Sequence, residues 1–151
     1  MKKFLKILAI ALVLLVALGG MALYMLEVRK TEISSAVEPM LREMAEQDWA
    51  RATVDKFASD DFKQALAKDG DAVLTIFSKL GSVKANNGIE SFRYFTAVSG
   101  RTSVQAIFSI EFDQGPGKVT LQVSRAGETW LIDSLHINAP YLNNLLAKAV
   151  R

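Results

Sequence analysis

From Ile7 to Leu26 the chain runs for twenty residues without a charged side chain. As a helix, at a rise of about 1.5 Å per residue, such a run spans roughly 30 Å, the thickness of a bilayer's hydrocarbon core. It follows Met1-Lys2-Lys3-Phe4-Leu5-Lys6, a basic tip of the kind that export machinery reads ahead of an apolar stretch. A cleaved signal usually has a shorter apolar core of about 7 to 15 residues, so the length favours a retained single-pass anchor in a bacterial-type inner (cytoplasmic) membrane. The alternative is a secreted or periplasmic product, because Gly20-Met21-Ala22 offers a small-residue cleavage site near Ala22, with Leu23 as the mature start. Lys2, Lys3 and Lys6 favour the cytoplasmic side, although Arg29 and Lys30 on the other flank weaken the bias. The expected organisation is therefore a cytoplasmic tip and transmembrane signal anchor in residues 1–30, then an extracytoplasmic domain in residues 31–151. No small-xxx-small spacing occurs within the run, so helix pairing in the membrane has no sequence support.

Charge has to be read separately on the two sides of that boundary. Five of the 18 Lys and Arg flank the apolar run, and beyond Lys30 the remaining 13 meet 15 of the 16 Asp and Glu. The basic excess thus belongs to the membrane segment, and the domain is slightly acidic. Nor does a basic stripe interleaved with aromatics follow, which excludes nucleic acid as a partner. There is no cysteine, which removes disulfides, thiolate metal sites, a cysteine nucleophile and a lipidated leader. With half of its residues hydrophobic, the chain can bury a core of its own.

Past the anchor, helical punctuation comes first. Pro39 suits a first helical turn, and Met40, Leu41 and Met44 repeat at helical spacing, predicting a helix from about Glu38. Asp48 is placed to cap a turn containing Trp49, Ala52 and Val54, and Asp60 or Asp61 to cap another around Phe62 and Leu66. Asp71 precedes a segment that ends at Gly81, a suitable residue just past a helix end. That makes three or four short helices before residue 81.

From Ser82 onward the period changes to two. Phe92, Tyr94, Thr96 and Val98 alternate against Arg93 and Ala97; Val104, Ala106, Phe108, Ile110 and Phe112 alternate against Ser103, Gln105, Ser109 and Glu111. A third strand sets Val119, Leu121 and Val123 against Lys118, Thr120, Gln122 and Ser124, and a fourth runs from about Thr129 to Asn138. Ser99-Gly100, Gln114-Gly115-Pro116-Gly117 and Ala126-Gly127 are hairpin turns, and Asn86-Asn87-Gly88 is a further turn signal. After Pro140, Leu142, Leu145, Leu146, Ala149 and Val150 form the apolar stripe of a last short helix. The expected fold is α+β: short helices packed on a curved, cone-like antiparallel sheet of four or five strands, closed by a short C-terminal helix.

Gly115 to Val123 followed by Gly127 to Leu135, with Trp130-Leu131-Ile132-Asp133 inside the second segment, resembles the terminal hairpin of the nuclear-transport-factor-two-like and cystatin-like superfamily. Gln47-Asp48-Trp49-Ala50 and Leu80-Gly81-Ser82-Val83 resemble its helical half, and the likeness covers roughly residues 38–138. The resemblance implies a cone-shaped pocket. It implies no fixed reaction, since that superfamily includes isomerase-like enzymes, dehydratases, transport factors and membrane-anchored domains alike.

Candidate chemistry is sparse. His136 is the only histidine, which rules out a zinc site built on paired imidazoles, and a lone strand histidine is more often structural. Strict alternation puts His136 on one face with Trp130, Ile132 and Ser134, and Asp133 on the other with Leu131, Leu135 and Ile137. An acid on an apolar face suits a general base of raised pKa, but a β-bulge or a hydrogen-bonded corner also accounts for it and is the favoured reading. Asp133 and His136 are accordingly weak catalytic candidates. Glu111 and Asp113 read as a solvated strand surface. Trp49, Phe77, Phe108 and Trp130 are pocket candidates, although aromatics at such spacing usually fill a core. No cofactor or metal motif occurs, and no phosphate loop, zinc-protease helix or serine elbow.

These features favour a membrane-tethered binding or interaction module without catalysis of its own, with the membrane and a protein or peptide partner in the envelope as its contacts and a weak homodimer as an option. A small-molecule isomerase or dehydratase using a pocket acid is the enzymatic alternative, and a structural subunit of an envelope complex the third.

Overall fold

The computed structural model describes residues 2–96 and 102–149, and the chain divides into two compact units, Met1–Ile33 and Ser34–Arg151. Within the first unit, helix α1 (Lys2–Glu46) carries a sheath of bare apolar side chains: Leu12, Leu15, Leu18, Leu23 and Tyr24 are all exposed, Leu15 by 70%. It contains an eighteen-residue stretch of mean hydropathy 2.2, long and apolar enough to cross a membrane. So much contiguous apolar surface is compatible with hydrocarbon and costly in water.

The sequence predicts a fresh helix from about Glu38 with Pro39 in its first turn, but Pro39 lies inside α1, which continues to Glu46. No glycine or proline interrupts Glu27 to Glu38, so Thr31, Ser34 and Ser35 lie within the helix without starting a new one, and local pairs support it there: Glu27–Lys30 at 3.8 Å, Arg29–Glu32 at 3.7 Å, and Thr31 Oγ1 donating to Glu27 O at 2.9 Å. Pro39 removes one backbone donor, which an otherwise unbroken helix tolerates.

In the second unit α1 ends in a tight reversal. Trp49 N–H reaches Met44 O at 2.7 Å and Asp48 N–H reaches Ala45 O at 3.1 Å, the paired bonds of a Schellman motif. Asp48 and Trp49 both hold left-handed backbone, with φ of 52° and 58°. Asp48 is therefore the residue that closes α1, not a cap for the next turn, and Trp49 lies outside any helix. Helix α2 (Arg51–Phe57) starts from Ala50 without a side-chain cap.

Helix α3 (Asp60–Phe77) merges the two segments expected around Phe62 and after Asp71. Its N-cap is Ser59, whose Oγ accepts from Phe62 N–H at 3.3 Å; Asp60 and Asp61 sit in the first turn, where a carboxylate complements the helix dipole. Gly70 and Asp71 do not break it. A 3-10 turn (Ser78–Leu80) then leads to Gly81, whose φ of 75° and close approach to Asp113 suit glycine alone: a Cβ there would lie 2.6 Å from Asp113 Oδ2.

Strands β1 (Val83–Thr96), β2 (Thr102–Phe112), β3 (Gly115–Ala126) and β4 (Thr129–Asn138) form a curved antiparallel meander in the order β1-β2-β3-β4, followed by helix α4 (Pro140–Ala149). Ala97, Val98, the Ser99-Gly100 turn and Val150 lie outside the described residues. Asn86-Asn87-Gly88 makes no chain reversal. Gly88 at φ 96° donates its N–H to Asn86 Oδ1 at 2.9 Å, and the local turn is absorbed as an irregularity within β1, where register slips between Asn86 and Ile89.

The core lies on one sheet face. Val104, Ala106, Phe108, Ile110 and Phe112 of β2 pair with β3 so that Val104 faces Val123, Ala106 faces Leu121 and Phe108 faces Val119, and all eight are buried. From the helical side come Val37, Leu41, Met44, Trp49, Val54 and Leu80, again all buried. Each such side chain contributes on the order of 1.5–3 kcal/mol of transfer free energy. The fold is α+β, with helices covering the apolar face of the sheet.

Candidate functional site

β4 is an outer strand of the sheet, and its position in the groove beside α3 and α4 depends on one irregularity. Gln122 pairs with Ser134 but Val123 pairs with Ile132, so Asp133 is an extra residue in β4. An extra residue shifts the alternation by one. Ile132 and Ile137 are buried five residues apart, Leu135 is half-buried, and His136 is exposed opposite Thr120. Strict alternation had grouped Asp133 with Leu135 and Ile137, and His136 with Ile132. The bulge undoes both groupings: Leu135 and Ile137 share the core-facing side with Ile132, and His136 turns outward. Asp133 Oδ1 accepts a hydrogen bond from the buried Ser124 Oγ at 3.0 Å, which gives the carboxylate a partner at the bulge.

Beyond the bulge, Leu135, His136, Ile137 and Asn138 line an open groove of about 470 Å³. Its second wall is the end of α3, where Val73, Ile76 and Phe77 fall at helical spacing; its third is α4, with Leu142, Asn143 and Leu146. Leu142 is buried, whereas Val73 is 40% and Leu146 47% exposed, so the outer part of the groove is apolar surface open to solvent. At one end Asn143 Nδ2 donates to Asn138 Oδ1 at 3.1 Å, tying the first turn of α4 to the end of β4. The volume lies in the range of small-ligand sites, about 300–1,000 Å³.

The four pocket candidates do not converge. Phe77 lines the groove; Phe108 is fully buried under the sheet; Trp49 is 1% exposed and packs edge-on against Phe77 at 5.6 Å, its indole Nε1 without a hydrogen-bond partner. Trp130, half-buried near the tip of the β3–β4 hairpin, has the Arg125 guanidinium 5.8 Å from its ring centre. Of the two weak catalytic candidates, His136 lines the groove and Asp133 does not. Asp113 lies past the end of β2, where its Oδ2 accepts from Ser82 N–H at 2.7 Å, next to Lys84 at 3.6 Å. Among the described residues no group of three or more His, Cys, Asp or Glu is placed to hold a metal ion.

A second, smaller cavity of about 310 Å³ lies beside Trp49, Arg51, Asp71 and Thr75. The one cation of its lining is committed to structure. Arg51 Nε donates to Asp55 Oδ1 at 2.9 Å, Nη1 to Leu66 O at 3.0 Å and Asp71 Oδ1 at 3.3 Å, and Nη2 to Lys63 O at 3.2 Å. The hydrogen bond to Asp55, reinforced by the Asp71 carboxylate, raises the guanidinium's pKa above its ordinary value. Arg51 thereby ties α2 to α3.

In the sequence Leu142 and Leu146 stand on the apolar stripe of the last helix, and Val73 and Ile76 in the helical segment before Gly81, with nothing to mark them as the walls of one groove. The exposure of Val73 and Leu146 depends on how far α3 and α4 stand apart, which no local pattern encodes. Compared with known protein families and with curated proteins, the chain matches none.

Proposed function

We propose that this protein is a single-pass, membrane-anchored binding module that holds an apolar ligand or a segment of a protein partner in the groove between α3, β4 and α4, on the extracytoplasmic side of a bacterial-type inner membrane. The observation that carries this reading is the groove itself, where exposed Val73 and Leu146 face the open end of an outer strand. Large apolar side chains left bare around a concave site mark interaction surfaces. His136 is the one ionisable side chain in the lining, and the nearest acid on its strand, Asp133, is held by Ser124 instead. That composition suits binding better than acid–base chemistry. The lysines at positions 2, 3 and 6 support the orientation, and the resemblance to the nuclear-transport-factor-two-like superfamily supports a ligand-holding role for a domain of this build.

Site-specific photocrosslinking in intact membranes tests it. A diazirine residue at Val73 or Leu146 should give a reproducible adduct, one at the exposed hairpin position Glu128 should not, and Leu146→Asp should abolish the Val73 adduct while leaving the melting temperature unchanged. Equal labelling from all three positions, or none from the groove, would refute the assignment.

A further inference from the structure

The outer edge of β4 is only partly used. Ala58 forms a parallel bridge with Ile132, and Ser59 N–H donates to Ile132 O at 2.9 Å, so the short link between α2 and α3 already pairs with this edge as a strand does. The pairing stops because Ser59 is the N-cap of α3 and the chain turns away. From Ser134 to Asn138, β3 pairs with one side of β4, and among the described residues no backbone hydrogen bond from outside the sheet reaches the other. In an antiparallel strand every second residue directs both its N–H and its C=O to the outer edge, so this stretch offers unused donors and acceptors.

Four consecutive residues, Leu135 to Asn138, line the groove. Neighbouring strand residues point to opposite faces, so an occupant that touches all four meets the strand edge-on. The two outer strands also differ in how they are guarded. β1 carries Lys84, Glu90 and Arg93 and three irregularities in register, devices that discourage pairing with another chain, whereas Ser134–Asn138 contains no Asp, Glu, Lys, Arg or Pro. An unguarded edge bordered by apolar walls has the chemistry to hold an extended chain: main-chain hydrogen bonds on one side, pockets for alternate side chains on the other.

We propose that the occupant of the groove is an extended peptide segment of another protein, added as a fifth strand along Ser134–Asn138 with apolar side chains at alternate positions seated between Phe77 and Leu146. This rests on the groove being the binding site. The free stretch is bounded by Ser59 at one end and by the Asn143–Asn138 bond at the other. At about 3.4 Å per residue it is roughly 17 Å long, which fits a partner segment of about five to seven residues.

The test uses the full chain in lipid nanodiscs and three capped seven-residue peptides in which Thr alternates with Val, Leu or Phe. At least one should bind saturably and slow amide hydrogen exchange at alternate residues of Ser134–Asn138 by about tenfold or more. N-methylation of its alternate nitrogens in one phase should weaken binding about tenfold, and in the other phase little, as loss of strand hydrogen bonds requires. Leu146→Asp should weaken it as well. Equal tolerance of both methylation phases, protection located elsewhere, or no binding by any of the three would overturn strand addition. Edge protection that grows with protein concentration and needs no peptide would overturn it too, by making a second copy the occupant. In each of these cases the Val73 and Leu146 photoadducts report separately on the groove: if they persist, the binding site stands and only its mode is wrong; if they are absent, both readings fail.

Discussion

Ser124, a serine with no exposed surface, donates its hydroxyl to Asp133 at 3.0 Å at the one place where β4 carries an extra residue. The bond spans the bulge and fixes which of the residues after it face the core. Ser124→Ala should therefore cost about 1–2 kcal/mol, more than a surface serine would, because it leaves the half-buried carboxylate short of a partner. A double-mutant cycle with Asp133→Asn in denaturant melts should show coupling of about 1 kcal/mol. Additive losses would mean that the bond does not hold the bulge.

The same bulge explains what sequence could not convey. In β2 and β3 the period-two pattern names the apolar core, Val104 through Phe112 and Val119 through Val123, because no bulge interrupts the β2–β3 pairing; it misses only Ser103 and Ser124, which are buried on the opposite phase. In β4 one additional residue reverses the faces; Asp133 stood out on strict alternation, and a bulge was one reading of it, but the pattern alone did not choose between a bulge and a pocket acid. Capping residues misled in the helices for a related reason. Asp48 and Asp71 are found at helix starts often enough to suggest them, yet one closes α1 in left-handed backbone and the other rides inside α3 on the exposed side.

Asp48→Gly should stabilise the protein by about 0.5–1 kcal/mol, since glycine holds the left-handed conformation at φ 52° without a Cβ penalty. Trp49→Ala should cost about 3–5 kcal/mol by emptying the space beside Phe77. Thermal and urea melts check both, and a neutral Trp49→Ala would contradict its burial.

At Gly81 the backbone is left-handed and a Cβ would press on Asp113, whereas at Gly88, with φ 96°, nothing lies within 4 Å. Gly81→Ala should accordingly cost about 2–4 kcal/mol, through strain and loss of the Asp113–Ser82 bond, and Gly88→Ala only the backbone part, about 1–2 kcal/mol. Equal losses at the two sites would show that the contact with Asp113 is unimportant.

Arg51→Ala should lower the melting temperature measurably, and Arg51→Lys should recover only part of the loss, because an ammonium cannot serve two carboxylates and two carbonyls at once. Asp71→Asn should change little, as Asp71 is 84% exposed. Full rescue by lysine would reduce Arg51 to a simple surface charge.

On anchoring, the protein should stay with the membrane fraction with its N-terminus intact, and a reporter active only outside the cytoplasm should work when fused after Arg151. A soluble species beginning at Leu23 would establish cleavage after Ala22, and activity confined to a cytoplasmic reporter would invert the orientation.

Spatial order and chain order coincide from β1 to β4, so the sheet is built of successive hairpins and no strand waits for a distant partner. Closing neighbouring segments costs little loop entropy, and such local pairing favours rapid folding. A chain threaded N-terminus first can complete each hairpin as its second strand arrives, keeping sticky intermediates short-lived. Among the described residues β4 is the last strand to be made, so its outer side gains no hairpin partner from the strands before it.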